Sequence, residues 1–155
     1  MRWLAVQTEA EAERFRQLGA RAETVGARAF GRLPSFIAAT TTQAAARVPA
    51  LASIPGVHVF KDDGGTWPYL MLRLPDEATR DAVLRRLWSS RLGVGRMFLH
   101  ALPDYDYLGE LPGGDDVPNA CDFAARTLTI TNSPWLDDAS FAHICAVIEA
   151  VVVSR

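Results

Sequence analysis

The stretch that decides the fold is Gly93–Ile148, which reads GVGRMFLHALPDYDYLGELPGGDDVPNACDFAARTLTITNSPWLDDASFAHICAVI. It begins with a β-prone run at Val94–Leu99 and continues into a loop rich in Tyr and Gly at Pro103–Val117. A second β-prone run follows at Leu128–Thr131. The polar loop separates two apolar runs, which is typical of strands connected through an irregular segment.

Two helices are predicted within and just beyond this stretch. We expect a short helix that begins at Pro118 and ends at Arg126. Proline suits the first turn of a helix because the backbone N–H that it lacks would have no helical acceptor at that position. Asp137 is a suitable N-cap for the last helix. The apolar face of that helix repeats at spacings of three and four, and it consists of Phe141, Ile144, Cys145, Ile148, Val151 and Val152.

Upstream of this stretch the pattern predicts an antiparallel hairpin. Val57–Lys61 and Pro68–Leu74 have strand-like composition, and the Asp- and Gly-rich turn at 62–65 separates them. Asp76 is a plausible N-cap for a helix over Ala78–Arg91. Gly93 lies where a helix C-cap glycine is common, and we interpret it that way.

The N-terminal third has a helical pattern from Thr8 to Leu33. Its apolar residues form one stripe: Phe15, Leu18, Ala22, Val25, Ala29 and Leu33. We expect Pro34 to end or bend this helix. A second helical piece is expected to begin near Thr42 and to stop at Pro49. The whole sequence therefore predicts an α+β fold, with a long N-terminal helix and a four-stranded, largely antiparallel sheet that packs its helices mainly on one face.

Bulk properties narrow the class of protein. A chain of 155 residues with 22% charged residues predicts a single globular domain over residues 1–155. A net charge of −2 gives no reason to expect binding to nucleic acid. The N-terminus lacks the apolar region of a signal peptide, and no apolar run could span a membrane, so we expect a cytoplasmic location. Cys121 and Cys145 lie in helical patterns and are expected to be buried, reduced thiols, with a disulfide as the lesser alternative.

The residues that could carry chemistry gather around His100. His100, Asp104 and Asp106 mix possible metal ligands, but they lack the further His or Cys of a zinc site, so no metal is expected. Arg96, His100 and Tyr105 are the candidate binding residues, because polar and aromatic side chains on a loop often contact ligands. The same loop could equally be structural.

Other possible sites have simpler explanations. Gly93 and Gly95 form a lone GxG without the third glycine of a dinucleotide-binding loop. Ser133 has no motif around it, so no catalytic residue is predicted. His58 and His143 are more readily structural.

Several motifs in this order resemble the C-terminal small domain of DegT/DnrJ/StrS-type aminotransferases. The corresponding segments are Arg91-Leu-Gly-Val94, Leu99-His-Ala-Leu-Pro-Asp-Tyr105, Pro118-Asn-Ala-Cys-Asp122, Thr127-Leu-Thr-Ile130 and Ser133-Pro-Trp-Leu-Asp-Asp138. The first helix, the hairpin and Arg80-Asp-Ala-Val-Leu84 fit the same domain, so the resemblance covers nearly the whole chain. Members of this family depend on pyridoxal phosphate and mostly aminate keto-sugars attached to nucleotides.

The departures from the family pattern bear on activity. The segment between Val94 and His100 is shorter than usual, and the acid of the family's Pro-x-Ala-Glu helix is replaced by Cys121, with Asp122 next to it. The family's cofactor-binding domain, which supplies the Schiff-base lysine, has no counterpart here. Lys61 is the single lysine in this sequence and lacks the family's lysine motif.

The resemblance therefore implies a relative of the small domain that is not catalytic by itself and binds no cofactor alone. His100, with Arg96 and Tyr105 as weaker candidates, would face a nucleotide-sugar. The expected partners are further copies of this chain, through the first helix and Trp3–Val6, or a separate chain with the cofactor domain. The alternative is a small α+β ligand-binding or regulatory module with only an architectural likeness to the aminotransferase domain.

Overall fold

The computed structural model describes residues 9–61, 64–105 and 116–154. Within the chain, two compact units can be separated, Met1–Ala38 and Ala39–Arg155. Several sequence-based predictions fall outside the described residues: those for Trp3–Val6, for Asp62 and Asp63 of the hairpin turn, and for Asp106 of the loop.

The first helix, α1, is longer than predicted and spans Glu9–Ala52. Of the expectation that Pro34 ends or bends this helix, the ending is excluded, and the expectation that a second helix begins near Thr42 and stops at Pro49 is wrong. A proline removes one helical hydrogen bond, which water can replace where the backbone is exposed, as it is around Pro34. Beyond Pro49, burial of the fully enclosed Leu51 side chain stabilises the last turn.

In the first unit the described residues are helical, as the periodicity predicted. The predicted apolar stripe does not lie in a core, however. Leu18, Val25 and Leu33 are 56%, 61% and 42% exposed, and Phe30 is 76% exposed. The amphipathic pattern of this segment therefore produces an exposed apolar surface on the helix.

In the second unit a four-stranded antiparallel sheet has the strand order β1-β2-β4-β3. The strands are β1 (His58–Phe60), β2 (Tyr69–Arg73), β3 (Val94–Gly95) and β4 (Thr127–Thr131). The predicted hairpin is β1 paired with β2, and β4 lies at the centre of the sheet between β2 and β3. The predicted fold class is confirmed.

The strand β3 is shorter than the predicted run Val94–Leu99. After Gly95 the chain leaves the sheet, and Met97, Phe98 and Leu99 are each 43–49% exposed. The apolar composition predicted a strand over the whole run, but the apolar side chains after Gly95 are partly exposed and do not belong to the sheet.

One face of the sheet carries the core. Because side chains alternate along a strand, Leu70 and Leu72 of β2 lie on the same face as Leu128 and Ile130 of β4, and all four are fully buried. Helices α2 (Glu77–Leu87) and α4 (Asp138–Val153) pack onto that face. Their buried apolar side chains in the core cluster are Val83, Leu84, Leu87, Phe141, Ile144, Ile148 and Val151.

On the opposite face of the sheet, the contacts described here are with helix α3 (Pro118–Arg126). Phe60 of β1 points away from the core face, and its ring centroid lies 5.5 Å from that of Phe123 in α3. The ring of Phe98 contacts Phe123 at the same centroid distance of 5.5 Å. The contact between Phe98 and Phe123 ties the segment after β3 to α3, and these two rings line the site described below.

The predicted helix caps are confirmed, apart from that of Gly93. Asp76 accepts a hydrogen bond from the Thr79 amide at 2.6 Å, and Asp137 accepts one from the Ser140 amide at 2.7 Å. Gly93 is not a C-cap, because α2 ends at Leu87 and a 3-10 turn follows it.

Gly93 is required for a different reason. Its φ is +70°, and a Cβ at this position would lie 2.4 Å from the Thr131 Cγ2 atom. The Gly93 carbonyl accepts the Thr131 amide at 2.8 Å, which fixes the start of β3 against β4. Close backbone approach and positive φ both exclude a larger residue.

Candidate functional site

The candidate site is built on the segment from Arg96 to Tyr105, which follows β3. A 3-10 turn at Leu102–Asp104 reverses the chain, and the Asp104 carboxylate accepts the Ala101 amide at 3.3 Å. The Asp104 amide in turn donates to the Ala101 carbonyl at 3.0 Å. This turn brings Tyr105 beside His100, so the local sequence His-Ala-Leu-Pro-Asp-Tyr determines the pairing of the two rings.

His100 and Tyr105 meet edge to face. Their ring centroids are 5.3 Å apart and the ring planes are inclined by 85°. Electrostatics favour this geometry because the positive ring edge of one residue meets the negative face of the other. The contact fixes the direction of an exposed imidazole next to a phenol.

Both residues line one cavity of about 630 Å³. Its wall, among the described residues, is mostly apolar and includes one amide: Phe98, His100, Ala101, Leu102, Tyr105, Asn119, Ala120, Phe123 and Ala124. Ligand sites commonly combine apolar walls with a few polar groups that fix orientation. The arrangement can hold a ligand by apolar contact and offer it hydrogen bonds from His100, Tyr105 and Asn119.

A thiol lies behind this turn. The Cys121 thiol donates to Asp104 Oδ2 at 3.7 Å. Partial burial of the sulfur, together with the Asp104 carboxylate, raises the pKa of Cys121. The thiol therefore stays protonated near neutral pH and is a poor nucleophile. Asp122, the neighbouring acid, instead pairs with Arg126.

Both cysteines are free, as predicted, although each is partly rather than fully buried. Burial raises the pKa of the Cys145 thiol as well.

Arg96 is not brought to the His100 cavity. It lines a different cleft, together with Asp81, Arg85 and Trp88 on the α2 side. The three candidate binding residues therefore divide between two places, with His100 and Tyr105 in one and Arg96 in the other.

The other positions considered in the sequence lie outside the described lining of the His100 cavity. Among the described residues no group of three possible metal ligands gathers. His58 packs edge to face on Phe60 with centroids 5.0 Å apart, and His143 is exposed on α4. Ser133 Oγ accepts the Trp135 amide at 3.2 Å, which fixes the turn before α4.

Lys61 is exposed just after β1 and lies beside Trp67 in two shallow clefts. Pyridoxal phosphate in fold-type I enzymes needs a lysine, an acid for the pyridine nitrogen and donors for the phosphate. The described residues that line these clefts with Lys61 include no carboxylate and no arginine. The described lining of these two clefts therefore does not fit that cofactor.

One buried polar network was missed at the sequence level. Arg47 of α1 is 3% exposed, and it donates to Asn132 Oδ1 at 3.1 Å and to the Leu136 carbonyl. Asn132 Nδ2 donates to the carbonyls of Thr40 at 2.8 Å and Trp67 at 2.9 Å. The sequence could have indicated this burial, because helical spacing places Arg47 on the same helix face as Ala44 and Leu51.

A second buried arginine, Arg80, fastens α2 to α3. Its guanidinium donates to Asp81 at 2.7 Å, to Glu77 at 3.0 Å and to the Ala124 carbonyl at 3.1 Å. Because these contacts use its donors internally, Arg80 and Arg47 are structural rather than available to a ligand.

No protein-family model matches the sequence, and neither does any curated protein. Solved structures do match it. The match to 3-amino-5-hydroxybenzoic acid (AHBA) synthase has 21% sequence identity and a TM-score of 0.66, and it covers 81% of this chain and 36% of the synthase. The aminotransferase TlmJ from Streptoalloteichus hindustanus matches with 20% identity and a TM-score of 0.68, over 84% of this chain and 35% of TlmJ.

DesI, whose structure was determined in the presence of its TDP-sugar product, matches with 22% identity and a TM-score of 0.69. That match covers 81% of this chain and 34% of DesI. The chain has the fold of a region of aminotransferases. The resemblance inferred from the motifs is confirmed at the level of fold, and the chain spans about a third of the length of each of these enzymes.

No helix in the described ranges is long and apolar enough to cross a membrane.

Proposed function

We propose that this chain supplies the substrate-side domain of a sugar-aminotransferase-type enzyme and does not transaminate by itself. The observation that carries this proposal is the extent of the structural matches, which cover 81–84% of this chain but only 34–36% of the enzymes. In such enzymes pyridoxal phosphate acts as the electron sink, and the protein positions it. The part of the fold present here would position the substrate.

The His100 cavity is the proposed contact with a nucleotide-sugar. Its volume of about 630 Å³ falls within the range of roughly 300–1,000 Å³ that is common for ligand sites. The rings of Phe98 and Phe123 offer an apolar wall, and His100 and Tyr105 offer hydrogen bonds at its rim. His100 acts in this proposal as a contact and not as a catalyst.

The groups that hold pyridoxal phosphate would come from a cofactor-binding domain outside this sequence. Lys61 is the single lysine here, and no described group beside it suits the pyridine nitrogen or the phosphate. The exposed apolar side chains of α1, which include Val25 and Phe30, support contact with another protein surface, either that domain or a second copy of this chain.

Calorimetric titration with a TDP-sugar tests the proposed contact. His100→Ala should weaken binding about two- to tenfold, as expected for one lost hydrogen bond, and leave the melting temperature unchanged. The matched control is His143→Ala, because His143 is also exposed but lies on α4 away from the cavity residues. Absence of binding, or an equal effect of both variants, would favour the alternative of a ligand-binding module unrelated to nucleotide-sugars.

The lack of autonomous catalysis is tested with pyridoxal phosphate and borohydride. Incubation should produce no internal-aldimine absorbance band and only substoichiometric, non-specific reduction products. A stoichiometric adduct at Lys61 that depends on the folded protein would overturn the proposal.

A further inference from the structure

A second cleft lies on the other side of the Arg96–Tyr105 segment, against helix α2. Its volume is about 500 Å³, also within the usual range of ligand sites. The described residues that line it are Asp81, Leu84, Arg85, Trp88, Arg96 and Leu99. It shares no lining residue with the His100 cavity, so it constitutes a separate site.

Two arginines of this cleft are free to bind an anion. Within the described residues Arg85 and Arg96 make no side-chain hydrogen bond and no ion pair, and both are exposed. Among the described residues that line the cleft, the one carboxylate belongs to Asp81, and Arg80 Nε donates to it at 2.7 Å. Because its charge is offset by a buried guanidinium, the cleft offers two unpaired positive groups.

The remaining surface of the cleft is apolar and aromatic. Leu84 is buried at its floor, whereas Trp88 is 70% exposed and Leu99 is 48% exposed. Trp and Arg are enriched at the positions of protein interfaces that contribute most binding energy, so an exposed indole next to unpaired guanidinium groups is a suitable binding surface. The indole face can stack against a flat ring.

We propose that this cleft binds a small anion joined to a planar ring. A guanidinium presents its donors in a fork that matches a carboxylate or a phosphate, and Trp88 would stack on the ring. Nucleotides and aromatic carboxylates both have this chemistry. The inference does not depend on the proposed aminotransferase role, because it uses neither the His100 cavity nor a cofactor domain.

Calorimetric titrations of the unmodified chain with defined probes test the site. AMP and indole-3-acetate each join an anion to a planar ring, whereas adenosine lacks the anion and inorganic phosphate lacks the ring. At least one of the first two should bind about tenfold more tightly than adenosine or phosphate alone, since both parts of the ligand contribute. Preference for AMP would indicate a nucleotide, and preference for indole-3-acetate a carboxylate.

Substitutions of lining residues test whether the probes bind in this cleft. Arg85→Gln, Arg96→Gln and Trp88→Ala should each weaken the preferred probe about tenfold, because each removes a contact of the order of one charged hydrogen bond or one stacked ring. Arg86→Gln is the matched control, since Arg86 is exposed on the same helix but does not line the cleft. Unchanged melting temperatures would exclude misfolding as the cause of any loss.

Two results would overturn the inference. One is that neither AMP nor indole-3-acetate binds more tightly than adenosine and inorganic phosphate. The other is that Arg86→Gln weakens binding as much as Arg85→Gln and Arg96→Gln, since that would show a diffuse effect of surface charge.

Discussion

Replacement of Arg47 by Met should destabilise the second unit strongly. Met keeps the apolar stem of the side chain but removes the guanidinium, which is buried over the Phe141 ring at 5.0 Å from its centroid. The Asn132 Oδ1 atom and the Leu136 carbonyl, both in buried residues, would then lose a donor.

The magnitude follows from these contacts. Each buried acceptor left without a partner costs about 1–3 kcal/mol, and loss of the cation–π contact adds about 1 kcal/mol. The ion pair with Asp138 at 3.6 Å adds little, because that carboxylate is fully exposed to solvent. Removal of a buried charge returns part of its desolvation penalty. We therefore expect a net loss of about 3 kcal/mol in the free energy of unfolding, a large part of the roughly 5–15 kcal/mol that stabilises a typical domain.

Urea denaturation followed by circular dichroism measures this loss. Arg28→Met is the control, because Arg28 lies on the same helix but is exposed, and a surface change of this kind stays within about 0.5 kcal/mol. A loss below about 1 kcal/mol for Arg47→Met, or equal losses for both variants, would refute the argument that this network holds α1 to the sheet.

Two further predictions concern β3 and the thiol behind the site. Gly93→Ala should lower the free energy of unfolding, measured by thermal melts, by about 2–4 kcal/mol, because Gly93 has a positive φ and a Cβ there would clash with Thr131. Gly95→Ala is the control: a Cβ at Gly95 meets nothing within 4 Å, so this change should alter the free energy of unfolding by less than about 1 kcal/mol. Asp104→Asn should lower the raised pKa of Cys121, so that alkylation of this thiol by iodoacetamide, followed by peptide mass spectrometry, accelerates at lower pH than in the unmodified chain. Asp122→Asn, next to the thiol in sequence, should leave that profile unchanged; an equal shift would contradict the assignment.

Local patterns predicted the features that depend on neighbours in sequence. The caps at Asp76 and Asp137 and the helix that begins at Pro118 were correct, because capping uses atoms only a few residues apart. The hairpin and the antiparallel sheet followed in the same way from composition and turn residues. The contact between His100 and Tyr105 is local too, since one 3-10 turn produces it, but the sequence analysis named these residues only as separate candidates.

Features that depend on distant parts of the chain could not be predicted in this way. Whether α1 continues past Pro49 depends on burial of Leu51 in a core that the rest of the second unit provides. Whether Gly93 caps a helix or approaches a strand depends on Thr131, which lies far along the chain.

The sequence by itself determined that Gly93–Ile148 contains two strands, an irregular loop and two helices, together with its resemblance to an aminotransferase domain. The tertiary structure alone decided how its polar groups are distributed. It placed His100 and Tyr105 in one cavity and Arg96 in another, because the chain leaves the sheet after Gly95 and presents its side chains to both sides. Periodicity records which residues avoid water, but only the packed chain determines which of them meet.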